Sequence, residues 1–262
     1  MRILLTISYN GKNYVGWQKQ RNGKSVQETI EGALSFLLDQ NIEICGSGRT
    51  DAKVHALGQT ASFDATSERF QKNFCNKNCL NSKKLIAALN ANLPFDIKVT
   101  GAKKVLPLFH ARFNVKQKTY LYRLSWEETP FNQGYVGIVK EKPNVKKIEN
   151  AARFLIGEHD FSSFCSAKAE TKDFVRTIFK IRLTKKHNEL DFEICGNGFL
   201  YNMVRIIVGT LYEVGTGKRT AESICEILDA KDRTKAGKTA PAEGLYLKGV
   251  KDRKSTRLTP VT

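Results

Sequence analysis

A chain of 262 residues with 43 Lys and Arg against 26 Asp and Glu carries a formal charge of +17. That length suffices for one large domain or two modest ones, and 41% hydrophobic with 10% aromatic residues excludes a disordered basic tail. No apolar run approaches the roughly 20 residues of a membrane span, and the first eight residues lack a leader pattern. The expectation is a soluble, cytoplasmic chain with a polyanionic partner; the bland alternative is a merely basic protein.

In chain order, Arg2 to Tyr9 is β-branched and apolar and runs into Asn10-Gly11, which predicts a strand and a turn. Ser25 and Glu28 have capping-box spacing, and Val26, Ile30, Ala33, Leu34, Leu37 and Leu38 share one helical face. A short strand is expected from Ile42 to Cys45, then a glycine-rich turn and a strand around Gln59 to Phe63. Ser82 should cap a helix to Asn92, ended by Leu93-Pro94. Further strands are expected over Ile97–Val105 and Thr119–Trp126. A helix through Val145, Ile148, Ala152 and Leu155 should end at Gly157. Strands at Ile178–Thr184 and Leu190–Cys195 flank a turn at Lys186-His187-Asn188. Helices follow from Phe199 to about Glu213 and from Thr220 to Ala230. The pattern reads as α+β, a mainly antiparallel sheet with helices on one face. Two halves meet near residue 105 (1–105 and 106–250), followed by a basic tail over 251–262.

The six cysteines at 45, 75, 79, 165, 195 and 225 form no second close pair beside Cys75 and Cys79, so no zinc site is expected, only reduced thiols. The densest polar cluster is Gly46-Ser47-Gly48-Arg49-Thr50-Asp51-Ala52-Lys53-Val54-His55-Ala56. Its glycines allow a close backbone approach, Arg49 suits phosphate and Asp51 supplies a carboxylate. A surface turn with a local Arg–Asp pair fits the same residues. The Phe199–Leu211 segment is apolar nearly all round except for Arg205, and a buried guanidinium needs a partner. Asp51 is one candidate and Asp160 another. Between Ile97 and Arg123 stand seven Lys or Arg and no acid, interleaved with Phe109, Phe113, Tyr120 and Tyr122. That pattern suits a phosphate backbone with bases resting on rings, or an edge strand protected by lysines. Gly215-Thr216-Gly217-Lys218 lacks the upstream glycine and the following Ser or Thr of a phosphate-binding loop. With no dinucleotide, HExxH or deaminase pattern either, a carboxylate, an arginine and aromatics point to nucleophilic chemistry on RNA.

Gly48-Arg49-Thr50-Asp51-Ala52-Lys53-Val54-His55-Ala56 with Gly58-Gln59 resembles the signature of the TruA family of tRNA pseudouridine synthases. Tyr9-Asn10-Gly11, Gly16-Trp17-Gln18, Ser25-Val26-Gln27, Ala88-Leu89-Asn90, Leu93-Pro94 and Phe109-His110-Ala111-Arg112-Phe113 follow in the family's order. So do Gly157, His159-Asp160-Phe161, Met203-Val204-Arg205 and Gly244-Leu245-Tyr246-Leu247. The resemblance implies two ferredoxin-like halves sharing a mainly antiparallel mixed sheet, with helices on the outer face and a central basic cleft. It implies conversion of uridine to pseudouridine in the anticodon stem-loop of tRNA, by a homodimer, without metal or other cofactor, membrane or DNA. Asp51 would be the nucleophile, attacking ribose or uracil, and Arg205 its basic partner. Tyr120 would stack on the target base, Arg49 hold the flipped nucleotide and Leu245 line the pocket. Lys53 replaces the family's usual glycine, and Ser67–Ser82 is longer than usual with Lys72, Lys77, Cys75 and Cys79. These departures leave room for another structured RNA such as ribosomal RNA. A non-catalytic RNA-binding descendant is disfavoured by Asp51, Tyr120 and Arg205 occurring together.

Overall fold

The computed structural model describes residues 1–77, 79–167 and 171–252. The chain opens with β1 (Arg2–Tyr9), and α1 (Val26–Leu38) follows. Ser25 Oγ accepts from the Glu28 N–H at 3.2 Å, and Val26, Ile30, Ala33, Leu34 and Leu38 turn inward. Each Leu, Ile or Val so buried stabilises the fold by about 1.5–3 kcal/mol. The expected strand at Ile42–Cys45 is reduced to β2 (Cys45–Gly46). The Ile42 and Ile44 N–H groups donate instead to α1 side chains, Ser35 Oγ and Glu31 Oε1, each at 3.0 Å. β3 (His55–Asp64) starts four residues earlier than expected. The longer stretch after it is α2 (Glu68–Phe74) and a small hairpin of β4 (Cys75–Asn76) and β5 (Cys79–Leu80). Its register faces Cys75 to Leu80 and Asn76 to Cys79, so the two cysteines alternate across the ribbon.

α3 (Ser82–Asn92) is capped by Asn81, whose Oδ1 accepts from Lys84 N, which makes Ser82 the first helical residue rather than the cap. β6 (Ile97–Lys104) and β7 (Val115–Ser125) follow, then β8 (Gly137–Ile138). α4 (Val145–Ala152) gives way to a 3-10 turn at Arg153–Leu155, and Gly157, at φ +116°, opens β9 (Gly157–Asp160) rather than capping the helix. β10 (Val175–Lys186) and β11 (Glu189–Gly196) form the expected hairpin. α5 (Met203–Gly215) starts four residues after Phe199, because Asn202 takes a left-handed conformation. α6 (Ser223–Ala230) and β12 (Leu245–Asp252) complete the order. The phosphate-loop look-alike lies at the wrong end of a helix: the Gly217 and Lys218 N–H groups are spent on the Val214 and Glu213 carbonyls closing α5.

Two compact units result: Met1–Lys116 together with the chain from Leu247 onward, and Gln117–Tyr246. The junction expected near 105 moves because the segment after β6 stays with the first unit, where Phe109 and Ala111 bury against Leu4 and Val105. In the first unit the strands run β6-β1-β3-β12, with β2 on β3. The β1 ladders are antiparallel, Leu5 facing Ala61 on one side and Ala102 on the other. In the second they run β7-β11-β10-β9, antiparallel throughout, with a short parallel β8 on β7. Mainly antiparallel sheets combined with helices are the α+β class expected. Of the basic tail, Lys251 and Asp252 end β12, and 253–262 lie outside the described residues. Among the described residues no helix is long and apolar enough to cross a membrane.

Candidate active site

Within the first unit, the chain from Gly46 to Val54 links β2 to β3, and the segment after β1 holds it down. Asp51 makes an isolated antiparallel bridge with Gly16, and the Trp17 N–H donates to the Thr50 carbonyl at 2.9 Å. Tyr9 Oη and Thr50 Oγ1 share a buried hydrogen bond of 2.7 Å. The Gly11 N–H donates to His55 Nδ1 at 3.1 Å, which leaves Nε2 to carry the proton of the neutral ring. Such close contact needs missing side chains. A Cβ at Gly11 would stand 2.0 Å from the Val54 carbonyl oxygen; one at Gly16, whose φ is +120°, would be 2.7 Å from that of Thr50.

From the other side Ser47 and Gln59, both fully buried, brace the loop. Ser47 Oγ donates to Gln59 Oε1 at 2.6 Å, and Gln59 Nε2 donates to the Gly48 carbonyl at 2.9 Å. The same Oε1 accepts from Thr60 N, so this one amide ties the loop to β3.

The loop therefore presents its charged side chains from a fixed backbone. Thr50 is buried, Arg49 and Lys53 are exposed, and Asp51 is half-buried. The Val54 N–H closes a turn on the Asp51 carbonyl at 3.1 Å, with Lys53 at φ +65°. A positive φ at only the third residue is the pattern of a type II turn, which favours glycine there. Lys53 thus stands in the left-handed region, as its replacement of a usual glycine implied, at a cost of about 1 kcal/mol. A carboxylate held in place between two cations suits an attack on an anionic polymer: the cations draw phosphate, and the fixed backbone limits the reorganisation required of Asp51.

The second unit holds the other expected residues. Tyr120 lies on β7 opposite Ile194, nearly buried, with Phe199 edge-on to its ring at 5.1 Å and 86°. Tyr122 is fully buried, and its hydroxyl donates to the Pro241 carbonyl at 2.9 Å; burial pushes its pKa far above the usual phenol range. Gly244 is enclosed by Tyr122, the Arg123 carbonyl and Gly137, which fixes where Leu245 begins β12. Arg205, with Tyr212 and Glu213, departs from the otherwise buried α5, being half-buried. Its Nε donates to the Ala240 carbonyl at 2.7 Å and one terminal nitrogen donates to Asn202 Oδ1 at 2.8 Å. Neutral acceptors thus take part of the demand that the sequence assigned to a carboxylate. Asp160 is engaged elsewhere, with Ser162 and with Lys231 at 3.4 Å.

Tyr9, Trp17, His55 and Gln59 stand in the family-like motifs, but residue type alone assigns them no role. The structure makes each a brace of the Asp51 loop. Their signal was position: they flank the two glycine-rich turns that must touch.

The family model described as tRNA pseudouridine synthase matches residues 5–114 and 151–251. The chain is 47% identical over 253 residues to a protein named tRNA pseudouridine synthase A from Anoxybacillus flavithermus, covering 94% of this chain and 96% of that one. It is 44% identical over 246 residues to the protein of that name from Exiguobacterium sp., covering 94% and 96%. For the Acetivibrio thermocellus protein of that name the figures are 42% over 247 residues, 94% and 97%. Similarity over both glycine-rich turns and the Asp51 loop, with near full-length relatives, leads to one assignment: the chain belongs to the TruA family of tRNA pseudouridine synthases, an isomerase family.

Proposed function

We propose that this chain isomerises uridine to pseudouridine in the anticodon stem-loop of tRNA, with Asp51 as nucleophile. The reading is carried by the placement of Asp51, half-buried on a loop whose neighbours are tied down by Tyr9, Trp17 and Gln59. Asp51 attacks the extruded nucleotide and the bond between C1′ and N1 breaks. Uracil then turns, a bond forms between C1′ and C5 and the bond to Asp51 breaks, returning the free carboxylate, while C5 loses a proton and N1 gains one. Product and substrate are isomers, so the reaction consumes no reductant or phosphoryl donor.

The other roles belong to the same proposal. Tyr120, braced by Phe199, supplies the ring on which the target base rests, which offsets the few kcal/mol of unstacking. Arg49 holds a phosphate of the flipped nucleotide, Arg205 supports the ionised aspartate and Leu245 bounds the uracil site. A cytoplasmic homodimer is the form in which we expect the enzyme to act.

Tritium release from uridine-labelled tRNA transcripts tests the reading. Asp51→Asn and Asp51→Ala should abolish release while RNA affinity survives, and retained turnover would refute the nucleophile. Pseudouridine mapping in a deletion strain tests the substrate. Loss confined to ribosomal RNA would refute the tRNA assignment in favour of the alternative that Lys53 and the α2 insertion suggest.

A further inference from the structure

The turn over residues 109–114 faces two ways. Phe109 and Ala111 are buried against Leu4 and Val105, while Arg112 and Phe113 face solvent. Of the four aromatics interleaved with cations between Ile97 and Arg123, Phe109, Tyr120 and Tyr122 are buried. Phe113 leaves 76% of its side chain exposed. Single exposed apolar residues are ordinary on protein surfaces, so exposure alone decides nothing here.

The way the ring is held decides more. His110 Nδ1 accepts from the N–H groups of Arg112 at 3.2 Å and Phe113 at 3.4 Å. The His110 N–H donates to Asn114 Oδ1 at 2.7 Å, and its carbonyl accepts from the Asn114 N–H at 3.0 Å. Four hydrogen bonds around one histidine make this turn rigid. The imidazole then lies against the Phe113 ring, centroids 4.3 Å apart and planes tilted by 31°, and the Arg112 guanidinium carbon sits 6.0 Å from the same centroid. Two rings in tilted contact with a cation over one of them, that ring largely open to water, form a ready surface for a third planar group carrying negative charge nearby.

The position is also telling. His110 Nε2 lies 3.6 Å from Cys45 Sγ, and Cys45 begins β2, from which the chain passes directly into the Asp51 loop. One side-chain contact within the first unit thus connects the ring pair to the loop.

We propose that Phe113, backed by His110 and flanked by Arg112, is a second base-stacking platform. It takes an unpaired nucleobase of the substrate RNA other than the uridine undergoing reaction, while Arg112 meets the adjoining phosphate. This rests on the RNA-modifying reading above. Its consequence is selectivity for RNA with an unpaired base near the target, since a paired base has no free face to offer.

The full-length protein and two RNAs of equal length test it: a hairpin with 2-aminopurine at single unpaired positions and a fully paired duplex. Wild type should quench at one or two unpaired positions. Phe113→Ala should abolish that quenching and weaken hairpin binding about ten-fold, leaving duplex binding unchanged. Phe113→Trp should restore both. In turnover the loss should appear in KM rather than in kcat. Equal hairpin affinity and quenching for wild type and Phe113→Ala would overturn the platform, even with turnover intact. A Phe113→Ala variant of lower molar mass in solution and unchanged RNA affinity would also overturn it, assigning the ring to a protein interface. If wild type shows the Phe113-dependent quenching but forms no pseudouridine, the platform stands and the proposed reaction fails.

Discussion

Tyr9 Oη lies 2.7 Å from Thr50 Oγ1, so the last residue of β1 holds the immediate neighbour of Asp51. Both groups are buried, and losing one partner leaves the other without water to replace it. Tyr9→Phe should cost about 1–2 kcal/mol in urea denaturation. Because the bond sets the loop rather than the RNA surface, kcat should fall about ten-fold with little change in KM. A kcat equal to wild type would show that the loop keeps its position without Tyr9.

Gln59 offers a harsher test. Gln59→Leu removes an acceptor shared by Ser47 and Thr60 and a donor to the Gly48 carbonyl, the Ser47 bond buried and the other two partly so. The expected loss is about 3 kcal/mol, with hydrogen exchange accelerated first at the Ser47 amide, now bonded to the Thr60 carbonyl at 2.8 Å. Uniform acceleration along β3 would argue for general loosening instead.

Lys53 separates strain from charge. Lys53→Gly should raise the melting temperature by about 2–4 °C, since it removes roughly 1 kcal/mol of left-handed strain. Lys53→Ala keeps the strain and removes the same cation. Both variants should lower the salt dependence of RNA binding by about one counterion, and only the glycine should stabilise. Equal stability for the two would remove the strain argument.

Asp160 provides a pH test away from the loop. Burial works against its ionised form, but hydrogen bonds from Ser162 and the nearby Lys231 ammonium outweigh it and hold the carboxyl below its ordinary value of 3.8. A lowered folded pKa means stability fully present above 3.8 and lost as pH falls through the folded value. Asp160→Asn should therefore be less stable than wild type at neutral pH, and the gap in urea midpoint should close in acid. A gap independent of pH would mean that shape, not charge, matters there.

The elements legible in the sequence were those whose reasons are local. The Ser25 cap and the apolar face of α1 lie within thirteen residues of each other, and the alternation of β1 needs no partner to be seen. The misplaced boundaries turned on side-chain capture and backbone conformation, which residue type does not display. Ile42 and Ile44 look like strand residues, yet their N–H groups go to side chains of α1. Phe199 looks helical, yet Asn202 at φ +59° delays α5. At the candidate site, Arg49 and Asp51 were legible from residue type, and the exposure of Arg49 follows from its place on a loop. The bracing by Tyr9, His55 and Gln59 was not, because it depends on which backbones touch. Arg205 lies on an apolar helix as its sequence shows, yet its side chain is only partly buried and reaches the Ala240 carbonyl, so the helix pattern alone does not require a carboxylate partner.

β12 bears on how this enzyme is made. β3 begins at His55, directly after the Asp51 loop, and its neighbour β12 begins at Leu245. At Gly58 the two backbones approach so closely that a Cβ would lie 2.9 Å from the Lys248 carbonyl oxygen. A growing chain emitted at about 5–20 residues per second waits some ten seconds or more between those segments. During that interval the part of the β3 edge that β12 will cover, beyond the short pairing with β2, is open to any other strand or to a holding chaperone. The ribosome thus completes the scaffold beneath the Asp51 loop long after the loop itself, and nascent chains released before Leu245 should be prone to aggregation even though they carry every residue of the Asp51 signature.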